Sequence, residues 1–217
     1  MANLRAIDSL VQSLADWLKA SYELAREEMG TDAAGEPILP KFSFDPVSSS
    51  ELSREDFGSD ATAGADRVSI YLYRVAIDPH LRTSGRLATP EMRPVPLSLH
   101  LHLLFSFWST KAINDHLVLA WLLRQLHEHP ILDAAALNAD GAWGADEVVH
   151  LIPAELSNED MMRLWDALTP SYRLSVSYIA RVVRIDPDRP REAGPVLTSR
   201  IGFGAGKDKP AAPEASP

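Results

Sequence analysis

The sequence predicts an α+β fold, helices and long strands in one domain, on three observations. Residues 97–108, LSLHLHLLFSFW, put Leu97, Leu99, Leu101, Leu103, Phe105 and Phe107 on one face and Ser98, His100, His102, Leu104, Ser106 and Trp108 on the other. This two-residue period is strand patterning. Leu4, Ile7, Val11, Leu14, Leu18, Tyr22, Ala25 and Met29 recur at helical spacing with charged residues opposite, which predicts an amphipathic helix over 4–29 ended by Gly30. A second long strand pattern, LSVSYIARVVRID, occupies 174–186. The 217 residues fit one domain, or one domain with a tail, on the loose scale of roughly 100 to 200 residues per domain.

Taken in chain order, the first helix is expected to cover a sheet; its narrow, heptad-like stripe also suits packing against a neighbouring subunit. Residues 31–67 are rich in Ala, Gly, Ser, Asp and Pro and are expected to form a long mobile loop, with the island ILPKFSFDPV supplying one edge strand. VSIYLYRVAI, 68–77, is apolar on both faces and reads as a central strand. A turn-rich connection, 78–96, leads into the strand at 97–108. Helix 110–129 follows, with Ile113, Leu117, Val118, Leu119, Ala120, Trp121, Leu122, Leu123 and Leu126 all around it. Such a helix is expected to be buried on more than one side, within the domain or against another subunit. EVVHLI, 147–152, reads as a short strand. SNEDMMRLWDAL, 157–168, reads as a helix capped by Ser157, with Met161, Leu164, Trp165 and Leu168 as its buried stripe. VLTSRIGFG, 196–204, is expected to pair back on the strand at 174–186. The Pro- and Ala-rich end, 207–217, is expected to be disordered.

Composition excludes several function classes. There are no cysteines, hence no disulfide, thiolate zinc site or cysteine nucleophile. A net charge of −9 argues against a nucleic-acid partner, which calls for clustered Lys and Arg. The longest apolar run, near 117–123, is far short of the roughly 18 residues of a membrane span, so no membrane partner is expected. MANLRAIDSL lacks the charged and apolar blocks of a secretory signal, so the cytoplasm is the expected location.

Catalytic motifs fail on inspection. HEHPI at 127–131 has Ile131 where HExxH needs its second histidine, and GFGAGKD lacks both the spacing and the hydroxyl residue of a phosphate loop. No GxSxG elbow is present. The histidines remain: His100, His102 and His127, with Glu128, define the alternative of a metal-dependent hydrolase. Histidines flanked by Ser98 and Ser106 on a half-polar strand face are more simply packing residues, and none is assigned as a metal ligand.

Five blocks in this order resemble a known family: VSIYLYRV at 68–75, RPVPLSLHLHLLFSFWS at 93–109, LHEHPIL at 126–132, LSNEDMMRLWDAL at 156–168 and YRLSVSYIARVVRID at 172–186. The chain resembles the N-terminal domain of the cap, or tail-terminator, proteins of extracellular contractile injection systems, which are phage-tail-like particles. The resemblance covers most of residues 4–186. It implies an α+β single domain with a mixed, mainly antiparallel β-sheet flanked by α-helices, spanning 1–206. It further implies a homo-oligomer, a hexameric ring seated on the last tube and sheath layers of its particle and ending their growth. No catalytic, cofactor-binding or metal-binding residue is implied. Arg74, Trp108, His127, Pro130, Trp165, Tyr172, Arg173, Tyr178 and Arg181 match the recurring pattern. The expected partner-binding residues are Phe42, Phe44, Val47, Arg74, Trp108, Arg181, Ile201 and Phe203.

Overall fold

The computed structural model describes residues 2–54, 57, 66–78 and 96–185. Helix α1 is Ala6–Met29; strand β1, Phe42–Val47, and a single-turn helix α2, Ser49–Leu52, follow. The long strands β2, Asp66–Ile77, and β3, Leu97–Trp108, precede helix α3, Ala112–Glu128. The rest comprises β4, Ile131–Leu132, a 3-10 turn at Ala139–Gly141, β5, Val149–Pro153, helix α4, Asn158–Asp166, and β6, Ser175–Ile185. These form one six-stranded sheet in the order β1-β2-β3-β6-β5-β4. Only β1 and β2 pair in parallel among these strands; every other pairing is antiparallel. This is the mixed, mainly antiparallel α+β architecture that the sequence implies.

The period-two patterns become the two faces of the sheet. On the first face, Leu99, Leu101, Leu103, Phe105 and Phe107 of β3 join Phe42 and Phe44 of β1, Val68 and Ile70 of β2, and Tyr178, Ala180 and Val183 of β6 in the main core. Helices α1 and α3 close it: Leu10, Leu14, Leu18 and Tyr22 are fully buried there, as are Val118 and Leu122. Each such side chain contributes roughly 1.5–3 kcal/mol by leaving water. The α1 stripe from Leu10 to Tyr22 is therefore spent inside the subunit, while Leu4 and Met29 at its two ends stay exposed. On the second face, Leu104 and Trp108 pack with Leu52 and Trp165 in a smaller cluster under α2 and α4.

Local chemistry sets the helix ends. At α1 the terminator is Gly30, whose φ of 66° and ψ of −142° suit a residue without Cβ. Ser157 caps α4 as expected, its hydroxyl accepting the Asp160 N–H at 3.1 Å. A second device docks the start of α1. The Trp143 indole N–H donates to Ser9 Oγ at 2.9 Å and the Asn138 N–H to Ser13 Oγ at 2.8 Å. Any side chain at Gly141 would strike the Trp143 ring and Ser9 Oγ.

One expectation changes. Helix α3 is buried on one side only: Val118, Trp121, Leu122 and Leu126 face the core, whereas Ile113, Leu117 and Leu123 are 60%, 36% and 39% exposed. The expected pairing of 196–204 on the strand at 174–186 concerns a segment that follows the end of β6. That segment, like the tail at 207–217, lies outside the described residues.

Candidate assembly surface

The expected site residues scatter between core and surface. Phe42 and Phe44 are 3% and 4% exposed, and Phe44 meets the rings of Tyr22 and Trp121 at centroid distances of 5.4 and 5.7 Å. Trp108 is 4% exposed. Phe57 packs edge-on to it at 4.8 Å, Trp165 lies at 6.0 Å and the Arg173 guanidinium sits 5.2 Å over its ring, while its indole N–H donates to Ser69 Oγ at 2.8 Å. The expectation that Phe42, Phe44 and Trp108 present surface to a partner is corrected: all three are packing residues. Val47 is half-buried, beside a cleft of about 190 Å³ shared with Asp45, Glu51, Arg54 and Phe57. Arg74 and Arg181 are exposed on the second face. Ile201 and Phe203 lie outside the described residues.

The histidine alternative does not assemble. His100 and His102 point to the second face of β3, whereas His127 and Glu128 are exposed at the end of α3, which packs on the first. The sheet stands between them. Among the described residues no three metal-ligating side chains converge, and the hydrolase reading is set aside. His100 is half-buried, its Nε2 3.3 Å from the Asp78 carboxylate. Tyr73 packs edge-on to His102 at 5.7 Å. Burial, with the Arg74 and His100 charges nearby, lowers the His102 pKa, which favours the neutral ring. These are polar packing groups of a strand.

What the geometry does gather is apolar surface on the outside of α3. Ile113, Leu117, Ala120 and Leu123 are exposed along successive turns. Leu123 continues into a cleft of about 390 Å³ whose walls include Pro153, Leu156, Met161, Tyr172, Val176 and Tyr178. Tyr172 in its wall is 47% exposed. Single exposed apolar residues are ordinary on a protein surface, whereas a contiguous run of them is a candidate contact surface. The all-round apolar pattern of α3 was the sequence signal for it; periodicity alone does not say which side a subunit covers itself.

At the α3 N-terminus, Asp115 Oδ1 is buried without a hydrogen-bond partner, and burial followed by the Asp66 charge raises its pKa. The Asn114 amide donates to Asp66 Oδ2 at 2.8 Å. No helix among the described residues is long and apolar enough to cross a membrane.

No curated protein matches the sequence. Among solved structures, the chain is similar to the sheath/tube terminator of an extracellular contractile injection system, PVC, in its extended state, at 15% identity and a TM-score of 0.50; the match covers 94% of this chain and 65% of that one. It is also similar to the anti-feeding prophage cap, a tube terminating cap, at 19% identity and a TM-score of 0.41, covering 66% of this chain and 51% of that one. The chain thus spans less than two-thirds of either relative's length. Residues 12–199 match the family described as the Pvc16 N-terminal domain, a range that runs from the second turn of α1 past the end of β6. With both helix layers and all six strands inside that one match, the protein belongs to the Pvc16 N-terminal domain family.

Proposed function

We propose that the chain is a structural cap, or tail-terminator, subunit of a contractile injection system, forming a ring on the last tube and sheath layers and ending their polymerisation. The observation that carries the reading is the outward apolar stripe of α3 with its adjoining cleft, more surface than one subunit covers by itself. Family membership supplies the class of assembly. The ring is a hexamer of identical subunits, put together in the cytoplasm as part of a phage-tail-like particle. Its contacts with tube and sheath use the half-buried Val47 and the exposed Arg74 and Arg181. Termination needs one face that matches the growing end and another that offers the next layer no site. It is a geometric act, and the subunit works without catalysis or cofactor. The ring-forming unit is 1–206, and the tail at 207–217 adds no apolar block to bury.

The solution mass of the purified chain, alone and with tube protein, tests the ring. A sixfold species in either condition is the expected result. A strict monomer in both at high concentration would contradict it.

A further inference from the structure

The outer edge of β6 is open at its start. Strand β5 pairs with β6 only from Tyr178 to Arg181, and one further bond runs from the Ala154 N–H to the Ser177 carbonyl at 2.9 Å. From there the chain leaves the sheet for Ser157, the cap of α4. Two bonds fix the direction of the β6 backbone. The Phe107 N–H donates to the Leu174 carbonyl at 3.1 Å from the β3 side, whereas the Ser177 carbonyl accepts from the other side. Backbone groups alternate in direction along a strand, so Leu174 and Val176 address β3 while Ser175 and Ser177 address the outside. Among the described residues, the Ser175 N–H and carbonyl and the Ser177 N–H have no backbone partner on that outer side. Such groups bond water or an added strand.

This edge borders the cleft of about 390 Å³, whose walls include Leu123 of α3 and Met161 of α4. Val176, opposite Phe105, lies on the core face that α3 covers, and Ser175 and Ser177, opposite Ser106 and Leu104, lie on the second face under α4. Apolar walls thus stand on both sides of a hydrogen-bonding edge. None of the described residues that line the cleft is charged, in a chain whose charged residues make up 24%. An occupant of such a lining is uncharged, since a charge buried without a partner is costly.

We infer that the cleft binds a short extended segment of a different protein, uncharged and apolar at alternate positions, which adds as a strand to Ser175–Ser177. Alternate side chains of the added strand turn to Leu123 and Val176 on one side and to Met161 and Tyr172 on the other. The backbone bonds supply affinity and the two walls supply specificity. The volume falls within the roughly 300–1,000 Å³ of ligand sites, and the open groups suit a strand of about three residues. A second copy of this chain is a poor donor: of the two outermost strands, β1 carries Pro46, which removes a donor from the ladder, and β4 has only two residues. The site touches the α3 stripe at Leu123 but does not rest on the terminator reading, since a ring closed by the stripe and a strand held by β6 are separate contacts.

The test titrates the full chain with blocked fluorescent heptapeptides of alternating valine and threonine, leucine and serine, or phenylalanine and threonine. Saturable binding of at least one is the expected result, and N-methylation of its backbone at alternate positions should weaken it by at least about tenfold at one parity and little at the other. The bound peptide should also slow amide hydrogen exchange at Ser175 and Ser177 by at least about tenfold. Met161→Glu should abolish binding, whereas Leu117→Glu, on the α3 stripe outside the cleft, should leave it unchanged, so that failure of the ring and failure of this site are read separately. No saturation by any of the three peptides at about millimolar concentration, where even a weak site fills, would overturn the proposal. Binding without new protection at Ser175 and Ser177 would overturn it too. Protection of those amides in the chain alone would overturn it and name another occupant: a second copy if dilution removes the protection, the chain's own segments if it does not.

Discussion

Trp165 shows how much of the second face rests on one residue. It is 3% exposed and lies 6.0 Å from the rings of both Trp108 and Tyr172. Trp165→Ala should cost on the order of 3–5 kcal/mol in a denaturation experiment, and a loss under about 1 kcal/mol would show that the cluster does not hold α4. Trp165→Phe should cost far less, because the indole N–H is buried without a partner and its removal relieves a desolvation penalty. Asp115 gives a pH signature. Its raised pKa means that the folded protein holds the proton more tightly than the unfolded chain does. That contribution is full below the unfolded value, about 3.9, and is lost as pH rises through the folded one. Asp115→Asn should therefore gain most over the wild type near pH 7 and little below about pH 4, as melting curves at the two pH values would register. The sequence disclosed Trp165 through its helical stripe and assigned His100 and His102 to one strand face. It did not disclose the Asp78 partner of His100, since Asp78 opens a turn-rich segment with no period. Nor did it distinguish buried Phe42 and Phe44 from surface residues, because alternation marks two faces without saying which one is covered.

At the scale of elements, α3 divides the account. Its core side, through Trp121 and Leu122, anchors it to α1 and the sheet, while its outer side faces solvent at Ile113, Leu117 and Leu123. The double substitution Leu117→Glu with Leu123→Glu should leave the melting temperature within a few degrees of the wild type, because exposed substitutions usually change stability by less than about 0.5 kcal/mol. The same variant should lose self-association, since charges are then buried in the contact without partners. Loss of folding, or an unchanged oligomer, would show the outer stripe to be something other than an interface. The longer strands and helices were legible to within a few residues because burial imposes its period on the sequence: β3 falls at 97–108 in both descriptions, whereas the single-turn α2 and the two-residue β4 are too short to show a period. The strand order was not legible. Pairing of β1 in parallel beside β2, and of β6 between β3 and β5, depends on contacts between residues as far apart in the chain as Leu97 and Ile185, and no local pattern encodes those contacts.

At the scale of the whole molecule, the design is an acidic, cysteine-free sheet whose two faces are closed by helices and whose remaining apolar surface points outward. A net charge of −9 favours solubility of the free subunit, and in the proposed ring the outward stripe is covered. Stopping a polymer by geometry requires only that the ring's far side offer no site for another layer. The measurement that tests this most directly is electron microscopy of particles from a strain lacking the gene. Tubes and sheaths of uncontrolled or unstable length are the predicted result. Stable particles of normal, uniform length would contradict the terminator account.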